Sequence, residues 1–330
     1  MGNHEIELID WLLLNGRKMG VSLQRHDWTD SYLSGLQHIT AELKLSSGAS
    51  MTGSGKAWAE KEAIQKAVAE LAERFAWALS GDDTTNGFGA HIDLKLAQRS
   101  SFRELLERDL FLGHWFTGMP LFYVSWYGLL SRGKSGERIL KALNQEKLRN
   151  FEFFCGHTVK CEGLTCIVVA AQQPIYGIHI SLALEDDIFD AVEKCFLEII
   201  HNCVFKSSHA IRPLSLVDFL AIRNANVDDH RRLCCDLSFA NIAINRMFSP
   251  LNSDVALRDD VPLPDYNITQ VNLPHHFSDA PLYICRSYSA DMQDLFFGSD
   301  WRKISFRRLA DFRSCVRTDG KASLIPHPLV

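Results

Sequence analysis

The chain of 330 residues has no long apolar run. Its longest early hydrophobic stretch, Trp11 to Leu14, is far too short for a membrane span or a signal segment, and Glu5, Glu7 and Asp10 precede it. No membrane partner is expected, and the expected location is the cytoplasm. There is no low-complexity tract, and a net charge of -5 with a pI near 6.2 gives no electrostatic footprint for nucleic acid. Paired metal-binding knuckles are also missing: Cys155, His157, Cys161 and Cys166 fall close together, but a single C-x₄-C supplies only half of a structural zinc site. The nine cysteines are odd in number, and Cys166, Cys195 and Cys285 lie in apolar runs, which predicts reduced thiols rather than a disulfide framework. G-x-S-x-G, H-E-x-x-H and a Rossmann glycine fingerprint are absent, so hydrolase, zinc-protease and nicotinamide readings lack support. Gly53-Ser54-Gly55-Lys56 falls short of a P-loop, because Ser50 stands where the first glycine belongs and Ala57 follows the lysine. It reads as a turn opening a helix, with backbone amides available to an anion.

What the chain does have is one short string twice. Glu70-Leu71-Ala72-Glu73-Arg74 and Glu104-Leu105-Leu106-Glu107-Arg108 stand 34 positions apart, each in a run that reads as a helix. Residues i and i+3 share a helical face, so each copy presents two carboxylates and a guanidinium together. Four such carboxylates facing one another would call for divalent cations, with phosphate oxygens and the arginines completing the neutralisation. A metal-nucleotide site follows from that charge count; salt-laced solvent faces are the alternative. The first copy fits the alternative, since Ile64, Val68, Leu71, Phe75 and Leu79 form one apolar stripe opposite Glu70, Glu73 and Arg74. The second does not. Phe102, Leu105, Leu106, Leu110, Phe111, Leu112 and Trp115 surround its axis, so Glu104 and Glu107 are carried into a buried helix and need partners.

Periodicity predicts helices over 5–15, 58–80, 93–116, 136–144, 186–205, 214–225 and 229–247. Strands are expected at 39–45, 121–127, 166–171, 176–184 and 283–286. Residues 249–281, with five prolines, read as a long irregular connection. Asp228-Asp229-His230 suits helix capping, and His275-His276 falls in the proline-rich stretch as an exposed pair. The sum is a mixed α/β or α+β chain forming one large domain over 1–330. Its lead-in covers 1–38 and a proline-containing tail covers 322–330. In that tail Pro326-His327-Pro328-Leu329-Val330 makes a stiff extended finger that loses little entropy on docking into a cleft.

Together these residues resemble the YcaO family. The match runs through Gly53-Ser54-Gly55-Lys56, then Ala63, Ala67, Glu70, Glu73 and Arg74, an Asn86-Gly87 loop, and Ala97 followed by Glu104, Glu107, Arg108 and Asp109. Trp115 lies beyond, and Gly177 precedes a helix with Ala191, Phe196, Glu198 and His201. The resemblance implies a YcaO-like fold with repeated helix-strand units around an ATP/Mg²⁺ cleft. It implies Mg²⁺ on Glu70, Glu73, Glu104 and Glu107, ATP phosphates on Arg74 and Arg108, support from Glu198, and a peptide channel shaped by Pro326, Pro328 and Val330. The implied activity is an ATP-dependent cyclodehydratase that phosphorylates backbone amide oxygens of a ribosomal precursor peptide and forms thiazoline or oxazoline rings at Cys, Ser or Thr. Phosphoryl transfer of this kind rests on positioning and charge neutralisation and needs no protein nucleophile.

The implied partners are the precursor peptide, an E1-like or leader-recognition protein, and a flavin-dependent dehydrogenase where oxidation follows; a homodimer stays open. The chain resembles the stand-alone form, with no separate leader-binding domain. Backbone thioamidation and macroamidine formation use the same site, and a non-catalytic scaffold is the reading from another class. Lys66, Leu96 and Cys203 depart from residues frequent in the family at those positions.

Overall fold

A computed structural model describes residues 8–27, 32–45, 47–175, 177–205, 211–249, 260–315 and 325–329. They fall into two compact units. One runs up to Leu105 and takes in Tyr266–Ser289; the other comprises Leu106–Asp265 and the chain from Ala290 onward. The mixture of helix and sheet is as the sequence predicts.

The first unit begins with helix α1 (Leu8–Met19) and an antiparallel sheet in the order β1 (Val21–Arg25), β2 (Gln37–Lys44), β3 (Ser50–Ala57). Helix α2 (Glu60–Ser80) lies across β3 and β2 and ends at Gly81, whose φ of 76° suits a residue without Cβ. A second antiparallel sheet has the order β4 (Phe88–His91), β10 (Tyr283–Tyr288), β9 (Asn267–Val271). Trp11, Leu43, Val68, Leu71, Phe75, Phe277 and Ile284 belong to one continuous core. Helix α3 (Leu94–Thr117) starts in this unit and continues into the next.

Gly53-Ser54-Gly55-Lys56 is not the turn predicted for it; it is the middle of strand β3. The glycines serve a close approach. A Cβ on Gly53 would overlap the Ala67 carbonyl and the Leu71 amide, and one on Gly55 the Ala63 carbonyl and the Ala67 amide. Backbone therefore rests directly on backbone, with Ala63 and Ala67 as small partners on the helix. Leu79, expected in the apolar stripe of α2, is exposed, whereas Ala63, Ala67, Val68, Leu71, Ala72, Phe75 and Ala76 are buried.

The second unit is built on an antiparallel sheet in the order β5 (Phe122–Tyr123), β6 (Glu152–Cys161), β7 (Leu164–Gln173), β8 (Gly177–Leu184). Every residue from Cys166 to Ala171 on β7 is buried, which is why that run is continuously apolar rather than alternating. Helix α7 (Ile188–Phe205) covers β7 and β8 with Val192, Cys195, Phe196 and Ile199 buried. Three short helices, α4 (Trp126–Leu130), α5 (Gly136–Leu143) and α6 (Glu146–Arg149), connect β5 to β6. After α7 come α8 (Leu216–Ala221), α9 (Val227–Cys234) and α10 (Leu237–Phe248), and α11 (Phe306–Cys315) follows β10.

Several expectations change. The strand predicted over 121–127 is two residues followed by α4. The helix predicted over 229–247 breaks at Cys235–Asp236, because the Asp236 side chain accepts the Phe239 amide and caps α10 afresh. Asp229 does belong to a capping box with Asn226 as N-cap, and the Asp228 amide also donates to the Asn226 side chain. The connection over 249–281 contains β9 and a 3₁₀ turn at His275–Phe277, while 250–259 lie outside the described residues. All nine cysteines are free, and all but Cys235 are buried. Among the described residues no helix is long and apolar enough to cross a membrane.

If β3 and α2 touch backbone to backbone, an added methyl must force them apart. Gly53→Ala and Gly55→Ala should each destabilise the full chain by at least about 2 kcal/mol in chemical denaturation. Gly48→Ala, where a Cβ meets nothing but φ is 84°, should cost only the left-handed backbone strain of roughly 1 kcal/mol.

Candidate functional site

The acidic residues of the first unit form a group. On α2, Glu70 accepts the Ser54 amide at 2.9 Å with one oxygen and pairs with the Arg74 guanidinium at 2.6 Å through the other. Arg74 also donates to the Thr52 carbonyl at 3.1 Å. Both contacts depend on the bare face of β3, which lets the Ser54 amide reach the helix. The amide of the glycine-rich stretch thus meets an anion, but the anion is the protein's own carboxylate.

One turn on, Glu73 is half-buried between α2 and β4 and accepts the Ala90 amide. Its pKa is raised well above the ordinary carboxylate value, first by burial, then by the negative charges of Glu104 and Glu70, against which Arg74 works only in part. Glu104 reaches this group from α3. Room for its helix comes from Gly89 on β4, where a Cβ would overlap the Ser101 amide, and Ser101 is fastened to Ser287 of β10 through their hydroxyls at 2.8 Å. The polar side of α2 is therefore not a plain solvent face. Carboxylates from both copies of the repeated string crowd one another here.

Such a set of hard oxygens suits Mg²⁺, whose binding would remove the mutual repulsion now keeping Glu73 prone to protonation. Among the described residues no three His, Cys, Asp or Glu side chains are already aimed at one point. Glu70 is turned to Arg74 and Ser54, so an ion at this place would compete with the Arg74 pair.

The remaining candidates lie in the second unit. Glu107 is buried, accepts the Leu184 amide at 3.1 Å, and stands 3.7 Å from the Arg108 guanidinium. Arg108 keeps a buried Nε without a partner, a donor still to be satisfied. Glu198 is half-buried on α7. Lys194 of α7 was not anticipated: burial works against its ammonium, but Glu107 and Glu185 outweigh that and raise its pKa. Asp109, next to Arg108, is fully buried in a two-oxygen ion pair with Arg308 of α11, the shortest contact 2.6 Å, and also accepts the Gln293 amide at 2.7 Å. Arg308 stays charged, its pKa raised by Asp109 in spite of burial. Sequence reasoning did not single out Arg308, which lies in a charged run, Phe306-Arg307-Arg308.

The tail is docked rather than free. Pro326 and Pro328 are buried; Trp115 donates its indole N–H to the Ile325 carbonyl at 2.9 Å. His327 stacks beside His230 at 4.9 Å, its backbone carbonyl accepting from His230 Nδ1, and its ring bonds the Phe296 carbonyl. Burial, then His230, holds the His327 pKa down at about 3, with Arg108 contributing, so the ring is neutral. Arg108 and the tail are thus electrostatic neighbours. Val330 lies outside the described residues.

No family model matches this sequence, and no characterised protein matches it at the sequence level. Solved structures do. The YcaO protein of Methanopyrus kandleri, bound with AMPPCP and Mg²⁺, superposes with a TM-score of 0.52 at 14% identity, over 86% of this chain and 89% of that one. A heterocyclase in complex with substrate and cofactor superposes with a TM-score of 0.60 at 10% identity, over 100% of this chain. The present chain spans 58% of that heterocyclase. At such identities the likeness is one of fold, and the fold of this chain is the YcaO fold.

Proposed function

We propose that the chain is an ATP- and Mg²⁺-dependent cyclodehydratase of ribosomal peptides, acting over 1–330 as one functional domain. The observation that carries the proposal is Glu73, held against Glu104 and Glu70 with its pKa driven up. Gathering carboxylates that repel one another is unfavourable for folding alone, and hydrophobic residues of similar size would pack there without that cost. Retaining them makes sense if a divalent cation completes the group.

In this reading Glu70, Glu73, Glu104 and Glu107 hold Mg²⁺, and bound ATP supplies the phosphoryl group that turns an amide oxygen into a leaving group. Arg74, paired with Glu70 and the Thr52 carbonyl, would be available to a phosphate if Glu70 held the metal. Arg108 offers its unpartnered Nε and its charge to the same end, and Glu198 supports the site from α7. Asp109 and Arg308 keep the Arg108 turn of α3 from rotating, and the docked Pro326–Pro328 segment borders the peptide channel. The substrate is a ribosomal precursor peptide delivered by an E1-like or leader-recognition partner, with a flavin-dependent dehydrogenase where rings are oxidised. The Methanopyrus kandleri structure, with its nucleotide analogue and Mg²⁺, and the heterocyclase with substrate support this reading through the shared fold.

With partner protein, precursor peptide and Mg-ATP present, mass spectrometry should show loss of one water per ring. Glu73→Gln and Glu104→Gln should each lower that rate about 100-fold or more, equivalent to roughly 3 kcal/mol of lost transition-state stabilisation. Sulfur-for-oxygen exchange in the peptide would instead place the site in thioamidation, and absence of Mg-ATP binding by the wild type with partner present would sink the enzymatic reading.

The raised pKa of Glu73 has a stability consequence. The folded chain binds a proton there more tightly than the unfolded chain, so stability is present at low pH and is lost as pH rises from the ordinary carboxylate value through the folded one. Without metal at neutral pH, Glu73→Gln should therefore be more stable than wild type by about 1 kcal/mol. Adding Mg-ATP should raise the melting temperature of the wild type and leave that of Glu73→Gln unmoved.

A further inference from the structure

The composition of the tail limits how it can be held. Pro326 and Pro328 carry no N–H, and the Leu329 amide donates within the tail, to Nδ1 of His327 at 3.3 Å. None of the described tail residues belongs to a sheet. What its backbone offers to the rest of the second unit is carbonyls, and three of them are met by side chains. Trp115 on α3 donates to Ile325 at 2.9 Å, and His230 on α9 meets His327 at 3.2 Å. Cys234, one turn further along the same face of α9, donates to Pro328 at 3.4 Å.

The middle grip has a condition that the other two lack. An indole N–H or a thiol always has a proton to give, whereas a neutral imidazole carries its proton on one nitrogen, chosen by what the other nitrogen meets. Nε2 of His230 lies 2.8 Å from the Gly298 amide, which can only donate. Nε2 is therefore the acceptor, and the proton stands on Nδ1, facing the His327 carbonyl. In His327 the assignment is reversed: Nε2 donates to the Phe296 carbonyl and Nδ1 accepts from Leu329. Backbone engages all four ring nitrogens, and a second proton on either ring would break a bond from an amide. Burial brings the His230 pKa down to about 4, against the opposing pull of the His327 carbonyl and Asp229, so this ring too is neutral. Phe219 and Phe297 stand edge-on to it at 4.8 and 5.3 Å.

We propose that His230 is a positioning residue for the tail, its Nδ1–H holding the His327 carbonyl in a tautomer that the Gly298 amide selects. Its bearing on the reaction rests on the reading of Pro326–Pro328 as a border of the peptide channel. His230 acts on the peptide only through the tail, so its loss lowers ring formation and leaves Mg-ATP affinity in place.

Long-range ¹⁵N–¹H correlation of the histidine rings at pH 7 reads the tautomer in the wild-type chain. His230 should show a protonated Nδ1; a protonated Nε2 overturns the proposal, and this measurement needs no variant. Two substitutions then separate holding from packing. The amide of His230→Asn reaches the place of Nδ1 and can still donate to His327, whereas the carboxamide of His230→Gln reaches the place of Nε2 and can satisfy only Gly298. Exchange of the Leu329 amide, which reports the docked tail, should quicken roughly tenfold in His230→Gln and return close to the wild-type rate in His230→Asn. With partner protein, precursor peptide and Mg-ATP present, kcat for ring formation should follow the same order while KM for Mg-ATP stays in place. A role in packing alone would rank the variants the other way, since Asn leaves the larger cavity. That reversed order, equal exchange in the two variants, or a loosened tail with unchanged kcat would each overturn the proposal. Should the wild type close no rings, the peptide chemistry fails, and Leu329 exchange still decides whether His230 holds the tail.

Discussion

The contact between β3 and α2 is the constraint on which the acidic group depends. Side chains normally hold a strand and the helix packed on it apart. Gly53 and Gly55 on one side, Ala63 and Ala67 on the other, remove that spacing, and the Ser54 amide comes within hydrogen-bond reach of Glu70. With Glu70 so fixed, Arg74 is fixed by it, and Glu73 is turned inward towards β4 and Glu104. The charge cluster is thus a product of backbone packing. Its members are held by that packing at positions where their charges repel one another.

In the second unit a buried ion pair does similar work for α3. Asp109 and Arg308 are both fully buried, and their hydrogen bonds join α3 to α11, to the Gln293 amide and to the Pro262 carbonyl. A pair of this kind adds little net stability over apolar packing, but it defines one arrangement of the elements it joins. The arrangement it defines includes the turn of α3 carrying Glu107 and Arg108. From the same helix Trp115 holds the docked tail through Ile325, and Arg246 donates to the Trp115 carbonyl at 2.7 Å. The tail is a packed element of this unit, with neutral histidines at its centre.

Much of the fold was legible in the sequence because long amphipathic helices declare themselves. The two helices with the repeated string and α7 were placed within a few residues of their observed bounds. What misled was glycine and proline. Gly53-Ser54-Gly55-Lys56 carries turn chemistry, and nothing local reveals that its glycines serve an approach to Ala63 and Ala67, a tertiary fact. Proline around 262–281 concealed β9, and the charged run in 306–315 concealed α11, whose one buried face is held by Arg308. For the site, the recurrence of the string was legible, and the apolar surround of the second copy marked Glu104 and Glu107 as needing partners, while the first copy read as a solvent face. That Glu73 of the first copy is itself half-buried could not be read from a helical wheel, since the wheel does not show β4 lying over it.

The account rests on Glu73, Glu104 and Glu70 forming a repelling group that a metal-nucleotide complex relieves. A ¹³C titration of the Glu73 side-chain carboxyl, alone and with Mg²⁺ and a non-hydrolysable ATP analogue, tests it most directly. The prediction is a pKa well above the ordinary carboxylate value in the free chain, falling when the complex is added. An ordinary pKa in the free chain, or a raised one that the complex leaves in place, would contradict it.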